Sequence, residues 1–138
     1  MLYGYDSRGN LAQFTNSDKN SLNYTYDQNH NLVEIVNFNG DTYLKNRFDS
    51  QNRTVEQYIA GQGTSYFAYF DEQMKTVFTD AAGNEHIYHY NESGMITRLI
   101  DPDGETSQVF ENGRLVSRTD YMGNTKTFEQ ATDIIGLN

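Results

Sequence analysis

The three histidines, His30, His86 and His89, are the side chains in this 138-residue sequence best suited to ligating a metal or moving a proton. Successive side chains on a strand point to opposite faces, so His86 and His89, three apart, do not converge on one ion. Asp101-Pro102-Asp103-Gly104 opens like a calcium loop, but the further oxygen ligands and the distal Glu are missing. A turn with Asp at its first position and Pro at its second accounts for it. None of the serines sits in a G-x-S-x-G elbow, and no phosphate-cradling glycine motif occurs; Gly61-Gln62-Gly63 stands alone. With no cysteine there is no thiolate nucleophile, thiolate metal site or disulfide framework. The expectation is a protein without catalytic, cofactor-binding or metal-binding residues, and not an enzyme.

What recurs instead is an aromatic followed by an acid. It is found at Tyr5-Asp6, Tyr26-Asp27, Phe48-Asp49 and Phe70-Asp71, and in weaker form at Tyr90-Asn91, Phe110-Glu111 and Phe128-Glu129. Successive aromatics are 21, 22, 22, 20, 20 and 18 residues apart. A fixed period decides architecture before anything else does. The recurring Asp6, Asp27, Asp49 and Asp71 could pair as acid and base, but a residue needed once per repeat is expected to accept hydrogen bonds from turn amides.

Each period holds two turn signals. The first follows the aromatic: Gly9-Asn10, His30-Asn31, Asn52-Arg53, Gly94 and Gly113-Arg114. Glu72-Gln73-Met74-Lys75 stands in that place without glycine. The second comes roughly ten residues later, at Asn39-Gly40, Gly61-Gln62-Gly63, Ala82-Gly83-Asn84, Asp103-Gly104 and Gly123-Asn124, with Ser17-Asp18-Lys19-Asn20 in the first period. Gly and Asn tolerate the positive φ that hairpin turns demand. Strands such as Tyr24-Thr25-Tyr26 and Tyr88-His89-Tyr90 fill the space between. The predicted fold is all-β: tandem antiparallel β-hairpin repeats of about 21 residues, forming a curled sheet or partial shell. The array spans 1–129 in about six repeats, and 130–138 is a divergent end. Leu32 and Ile35, like Ile96 and Leu99, are three apart, which implies either a bulge or a strand covered on both faces.

Composition fits this picture. Tyr and Phe number 11 and 8, without Trp, and such aromatics favour half-buried pleated surfaces. A net charge of −9 disfavours binding to nucleic acid or anionic lipid. No apolar run approaches the ~20 residues of a membrane span, and Met1 to Asn10 carries no signal-peptide pattern. Asn23, Asn52 and Asn91 head glycosylation sequons that matter only in a glycosylating host.

Tyr5-Asp6-Ser7-Arg8-Gly9-Asn10-Leu11, and Tyr24 through Leu32, resemble the YD repeat of RHS proteins, Y-x-Y-D-x-x-G-N/R-L. Ile100-Asp101-Pro102-Asp103-Gly104 is similar to the second half of that repeat. The resemblance covers roughly 3–129. It implies a β-strip of hairpins winding into a hollow shell, as in secreted or surface bacterial proteins of the RHS polymorphic-toxin and wall-associated kinds, with related repeats in insecticidal toxin complexes and teneurins. The D-P-x-x-G-L/F-Y and R-Y-Y-D-P patterns of the family's core segment are absent, so its self-cleaving aspartate is not carried over. The chain reads as a fragment or a short free-standing member.

The function expected is therefore non-catalytic: part of an encapsulating wall, whose partners are other repeats or a cargo domain. The alternative is a carbohydrate- or protein-binding adhesion module. A packing stripe predicts low exposure of Tyr26, Phe48, Phe70 and Tyr90, while a sugar platform predicts them open in a row. Tyr5, Asp6, Tyr26, Asp27, Phe48, Asp49, Phe70, Asp71, Tyr90 and Phe110 are the expected structural signature. The unguarded apolar segment Leu2-Tyr3-Gly4-Tyr5 predicts self-association through strand edges.

Overall fold

The computed structural model describes residues 1–129; the divergent end at 130–138 lies outside them. It is an all-β protein of antiparallel hairpins. Thirteen strands run β1 (Leu2–Tyr5), β2 (Leu11–Thr15), β3 (Ser21–Tyr26), β4 (Leu32–Val36), β5 (Thr42–Phe48), β6 (Thr54–Ile59), β7 (Gly63–Phe70), β8 (Lys75–Thr79), β9 (Glu85–Tyr90), β10 (Ile96–Asp101), β11 (Gly104–Glu111), β12 (Arg114–Thr119) and β13 (Thr125–Thr127). Among the described residues a single 3-10 turn occurs, Asp71–Gln73, between β7 and β8. The chain forms two units, Met1–Phe67 and Ala68 onward, and their boundary falls inside β7. Within each unit the described ladders are antiparallel and join sequence neighbours.

The register of the first unit sorts its side chains by chemistry. Tyr24, Ile35, Leu44 and Ile59 lie directly opposite one another across β3, β4, β5 and β6. Tyr3, Phe14 and Leu22 extend the same face across β1, β2 and β3, with the Tyr3 and Phe14 rings 5.4 Å apart. The other face carries Thr25, Glu34, Lys45, Tyr58 and Thr64 in one row. Alternation of period two thus separates an apolar face from a polar one. The second unit divides less cleanly. Thr76, Tyr88, Leu99 and Thr106 share one face, while Val77, Ile87 and Ile100 line up on the other.

A bulge recurs at the same place in five hairpins. In four of them the signature aromatic pairs with the first strand residue after the turn, Tyr5 with Leu11, Tyr26 with Leu32, Phe48 with Thr54 and Tyr90 with Ile96, and in the fifth Phe110 pairs with Leu115, the second. One extra residue then intervenes before the ladder resumes. Leu32 and Ile35 therefore do share a face, across Val33; of the two explanations for their spacing, the bulge holds. The carbonyls that begin two of these bulges are taken up from the next strand: Asn46 Nδ2 donates to Leu32 O at 3.1 Å, and Gln108 Nε2 to Ile96 O at 3.0 Å.

No side chain among the described residues is fully buried. The apolar residues opposite one another across the strands, such as Tyr24, Ile35, Leu44 and Ile59, are half-buried. Tyr26, Phe48 and Tyr90 are half-buried. Phe70 departs from the expected low exposure: it is 40% exposed, with Lys75 Nζ 4.7 Å from its ring centroid. The chain leaves the regular hairpin at Phe70 to enter the 3-10 turn, so its ring meets a cation rather than a closing apolar partner.

Candidate functional site

The densest polar chemistry lies in the turns. At Asp6 the carboxylate Oδ1 accepts from the backbone amides of Arg8 and Asn10, both at 2.9 Å, while Oδ2 accepts from Asn10 Nδ2 at 3.1 Å. Main-chain bonds close the loop, from Gly9 N to Asp6 O at 3.2 Å and from Asp6 N to Asn10 O at 2.8 Å. An Asp or Asn side chain bonding two residues onward mimics a backbone turn. The fourth residue, Gly9, has φ 86°, the left-handed region that costs an ordinary side chain energy.

The same five-residue device is built on Asn16, Asp27, Asn37, Asp49, Asp80, Asn91 and Asp120. In each, one side-chain oxygen accepts from the amides two and four residues on, at 2.8–3.0 Å. The left-handed fourth position is Lys19, His30 or Asn52 in three of them. The turn after Asp71 keeps part of the pattern, with Met74 N donating to Asp71 O at 3.1 Å and Met74 at φ 48°. Three connections are shorter. Ala60-Gly61-Gln62 joins β6 to β7, Pro102-Asp103 joins β10 to β11, and Asn112-Gly113 joins β11 to β12.

Sequence reading placed Asp6, Asp27 and Asp49 at the first turn of each period but did not single out Asn16, Asn37, Asp80 or Asp120, which build the second turn in the same way. The missed signal is an Asp or Asn four residues before Asn or Asp, with a left-handed residue between. Of the other signature residues, Tyr5 stands 66% exposed at the end of β1, and Phe110 pairs with Leu115 just inside the β11–β12 hairpin, which Glu111 and Arg114 close.

In the first unit the turns are tied sideways. Arg8 Nη1 donates to Asp27 O at 2.9 Å, and Nη2 donates to Gln28 O. Asn31 Nδ2 donates to Asn52 Oδ1 at 2.9 Å. His30 Nδ1 lies 2.8 Å from Asn10 Oδ1. The Asn10 amide is oriented by its Nδ2 bond to Asp6, so its oxygen faces His30 and can only accept. In that pairing His30 Nδ1 is the donor.

These bonds act on the carboxylates. Backbone amides of Asn10, Asn31, Arg53, Asn84 and Asn124 hold Asp6, Asp27, Asp49, Asp80 and Asp120 respectively below the ordinary carboxyl value. Asp101 is lowered chiefly by the Tyr121 hydroxyl, which donates to its Oδ2 at 2.7 Å. His86 Nε2 lies 3.3 Å from Asp80 Oδ2. His86 pairs with Phe78 while His89 pairs with Lys75, which puts the two histidines on opposite faces. Among the described residues no group of three or more His, Asp or Glu could hold a metal ion.

The polar face of the first unit carries one further cluster. Tyr58 and Tyr66 are 37% and 49% exposed, on adjacent strands, beside Lys45 and an Arg47–Glu56 ion pair of 3.0 Å. Lys45, Asn46, Arg47, Glu56 and Tyr58 line a shallow surface depression there. No helix among the described residues is long and apolar enough to cross a membrane.

The RHS Repeat family model matches residues 5–42, the stretch that holds the first four five-residue turns. Among solved structures, the chain is similar to one in the Photorhabdus luminescens Tc holotoxin pore, with a TM-score of 0.65 and 12% sequence identity. The match covers 85% of this chain and 6% of that one, so this chain spans a small part of the protein it resembles. At that identity the likeness is one of fold.

Proposed function

We propose that this chain is a non-catalytic structural repeat segment of an RHS-type protein, forming part of the wall of an encapsulating shell. One observation carries the reading: the first unit is a sheet with one continuous apolar face and one polar face, and none of its side chains is fully buried. A wall needs two differently wetted faces and a rigid backbone. The turns supply the rigidity, because every five-residue loop is closed by its own Asp or Asn and several are bonded to another turn. On this reading Tyr5, Tyr26, Phe48 and Tyr90 close hairpins onto the residue after the turn, and the following Asp or Asn folds that turn, while Phe110 lies one pair inside a hairpin closed by Glu111 and Arg114. At Phe70 and Asp71 the connection is a 3-10 turn instead. The repeat match and the fold likeness to part of a toxin assembly support the same reading. A secreted or surface location, other repeats or a cargo domain as partners, and strand-edge association through exposed Leu2 and Tyr5 follow from it.

The test is face-selective labelling in the full-length protein that contains the chain. Cysteines introduced at Leu44 and at Lys45 sit on neighbouring positions of opposite faces. A bulky maleimide is expected to label the second and spare the first; equal labelling would remove the wall assignment. An adhesion module is the second reading, favoured by the exposed Tyr58 and Tyr66. It expects glycan-array binding that Tyr58→Ala abolishes.

A further inference from the structure

Two Asn-Gly steps occur in the chain, Asn39-Gly40 and Asn112-Gly113, and both lie exposed in hairpin turns. Asn-Gly is the dipeptide most open to self-modification, because glycine has no side chain to shield its amide nitrogen from the neighbouring carboxamide. The fold treats the two differently. Gly40 N donates to Asn37 O at 3.0 Å, and Asn39 N donates to Asn37 Oδ1 at 3.0 Å. The nucleophile and the residue it must attack are thus both bound to one side chain's turn. Asn112 and Gly113 form a two-residue connection with φ 52° and 79°, a type I′ turn. In that turn the closing bond falls between the flanking strand residues, Glu111 and Arg114. Among the described residues the Gly113 amide carries no hydrogen bond within the protein.

We propose that Asn112 is a site of spontaneous deamidation in the folded protein, converting ahead of Asn39. The Gly113 amide gives up its proton to hydroxide or buffer base, and its nitrogen attacks the Asn112 side-chain carbonyl carbon. A carbon–nitrogen bond forms within a five-membered succinimide. The bond to the side-chain nitrogen breaks, and ammonia leaves after taking a proton from solvent. Water then opens the ring at either carbonyl, giving aspartate or isoaspartate, with nothing oxidised or reduced. The products differ in consequence. Asp-Gly suits a type I′ turn as Asn-Gly does, so the aspartyl form keeps the pairing of Phe110 with Leu115. The isoaspartyl form lengthens the loop backbone by one methylene and disturbs that register. Either product adds a negative charge beside Glu111.

The experiment incubates the folded chain in mildly alkaline buffer at body temperature, then follows peptides by mass spectrometry and isoaspartyl methyltransferase labelling. The expected result is a one-dalton gain at the Asn112 peptide that accumulates severalfold faster than at the Asn39 peptide. A parallel sample unfolded in urea is expected to bring the two rates together, since the difference belongs to the fold. An Asn112→Gln chain is expected to lose the fast product and keep the slow one. Conversion of Asn39 at the same or a greater rate in the folded chain would overturn the proposal. So would an absence of conversion at Asn112 while the unfolded sample reacts.

Discussion

Asp27 and Asn16 hold the same geometry with different chemistry, and that difference is open to measurement. Both offer one oxygen to the amides two and four residues on, so Asp27→Asn is expected to leave the turn intact. Asp27→Ala removes the acceptor, leaves the Asn29 and Asn31 amides to solvent, and lowers the urea midpoint. The acids also confer a pH dependence. Their folded-state values lie below ordinary ones, so the stability they give is complete above the usual carboxyl range and is lost as pH falls through it towards the folded values. Urea midpoints should decline on acidification in that window, and less steeply for Asp27→Asn; a flat profile would mean the turn bonds survive protonation. At the fourth turn position, Lys19 sits at φ 66°. Lys19→Gly should stabilise by about 1 kcal/mol, since a left-handed backbone costs a non-glycine residue about that much. Half of these turns carry no aromatic–acid signature, because a Thr or Val precedes Asn16, Asn37, Asp80 and Asp120. Counting aromatic–acid pairs gives a period near 21, whereas counting every side-chain carbonyl or carboxylate oxygen that heads a turn gives roughly half that.

At the scale of the hairpin, the three-residue spacing of Leu32 and Ile35 was enough to suggest a bulge. The amide that completes it was not legible, because Asn46 lies on the next strand and only the register brings it to Leu32 O. Asn46→Ala should cost about 1 kcal/mol, the net worth of an ordinary hydrogen bond, read as a shift in urea midpoint. Asn23→Ala on the polar face, whose Oδ1 accepts from exposed Gln13, should cost less. Phe70 is where the aromatic–acid signature misled. The motif marks the end of a strand, while burial depends on what the residue after the turn offers in return. Phe48 has a cross-strand partner in Thr54 and is half-buried; Phe70 stands against Lys75. Phe48→Ala should therefore lower the urea midpoint more than Phe70→Ala.

Over the whole chain, the all-β class, the tandem hairpins and most turn positions could be read from the sequence, because each is fixed by residues within about a dozen positions of one another. Exposure could not, since it depends on what covers a face, and strand alternation says only that two faces differ. Pairing between sequence neighbours also governs how a perturbation spreads. Stability in such arrays is close to a sum of local and nearest-neighbour contributions. Ile35→Ala is expected to raise amide exchange in β3, β4 and β5 while leaving β10, β11 and β12 at their original rates. Uniform acceleration across both sets would show one cooperative body instead.

The repeated closure of each hairpin on its own turn has a genetic corollary. Leu11 and Leu32 hold equivalent places, each facing the signature tyrosine before it. A crossover that joins the codon for Leu11 to the codon following Leu32 deletes 21 residues. Tyr5 would still meet a leucine, a bulge residue would still follow, and every downstream side chain would keep its face. A gene for such a chain can therefore lengthen or shorten by unequal recombination in whole hairpins, with each product already in register.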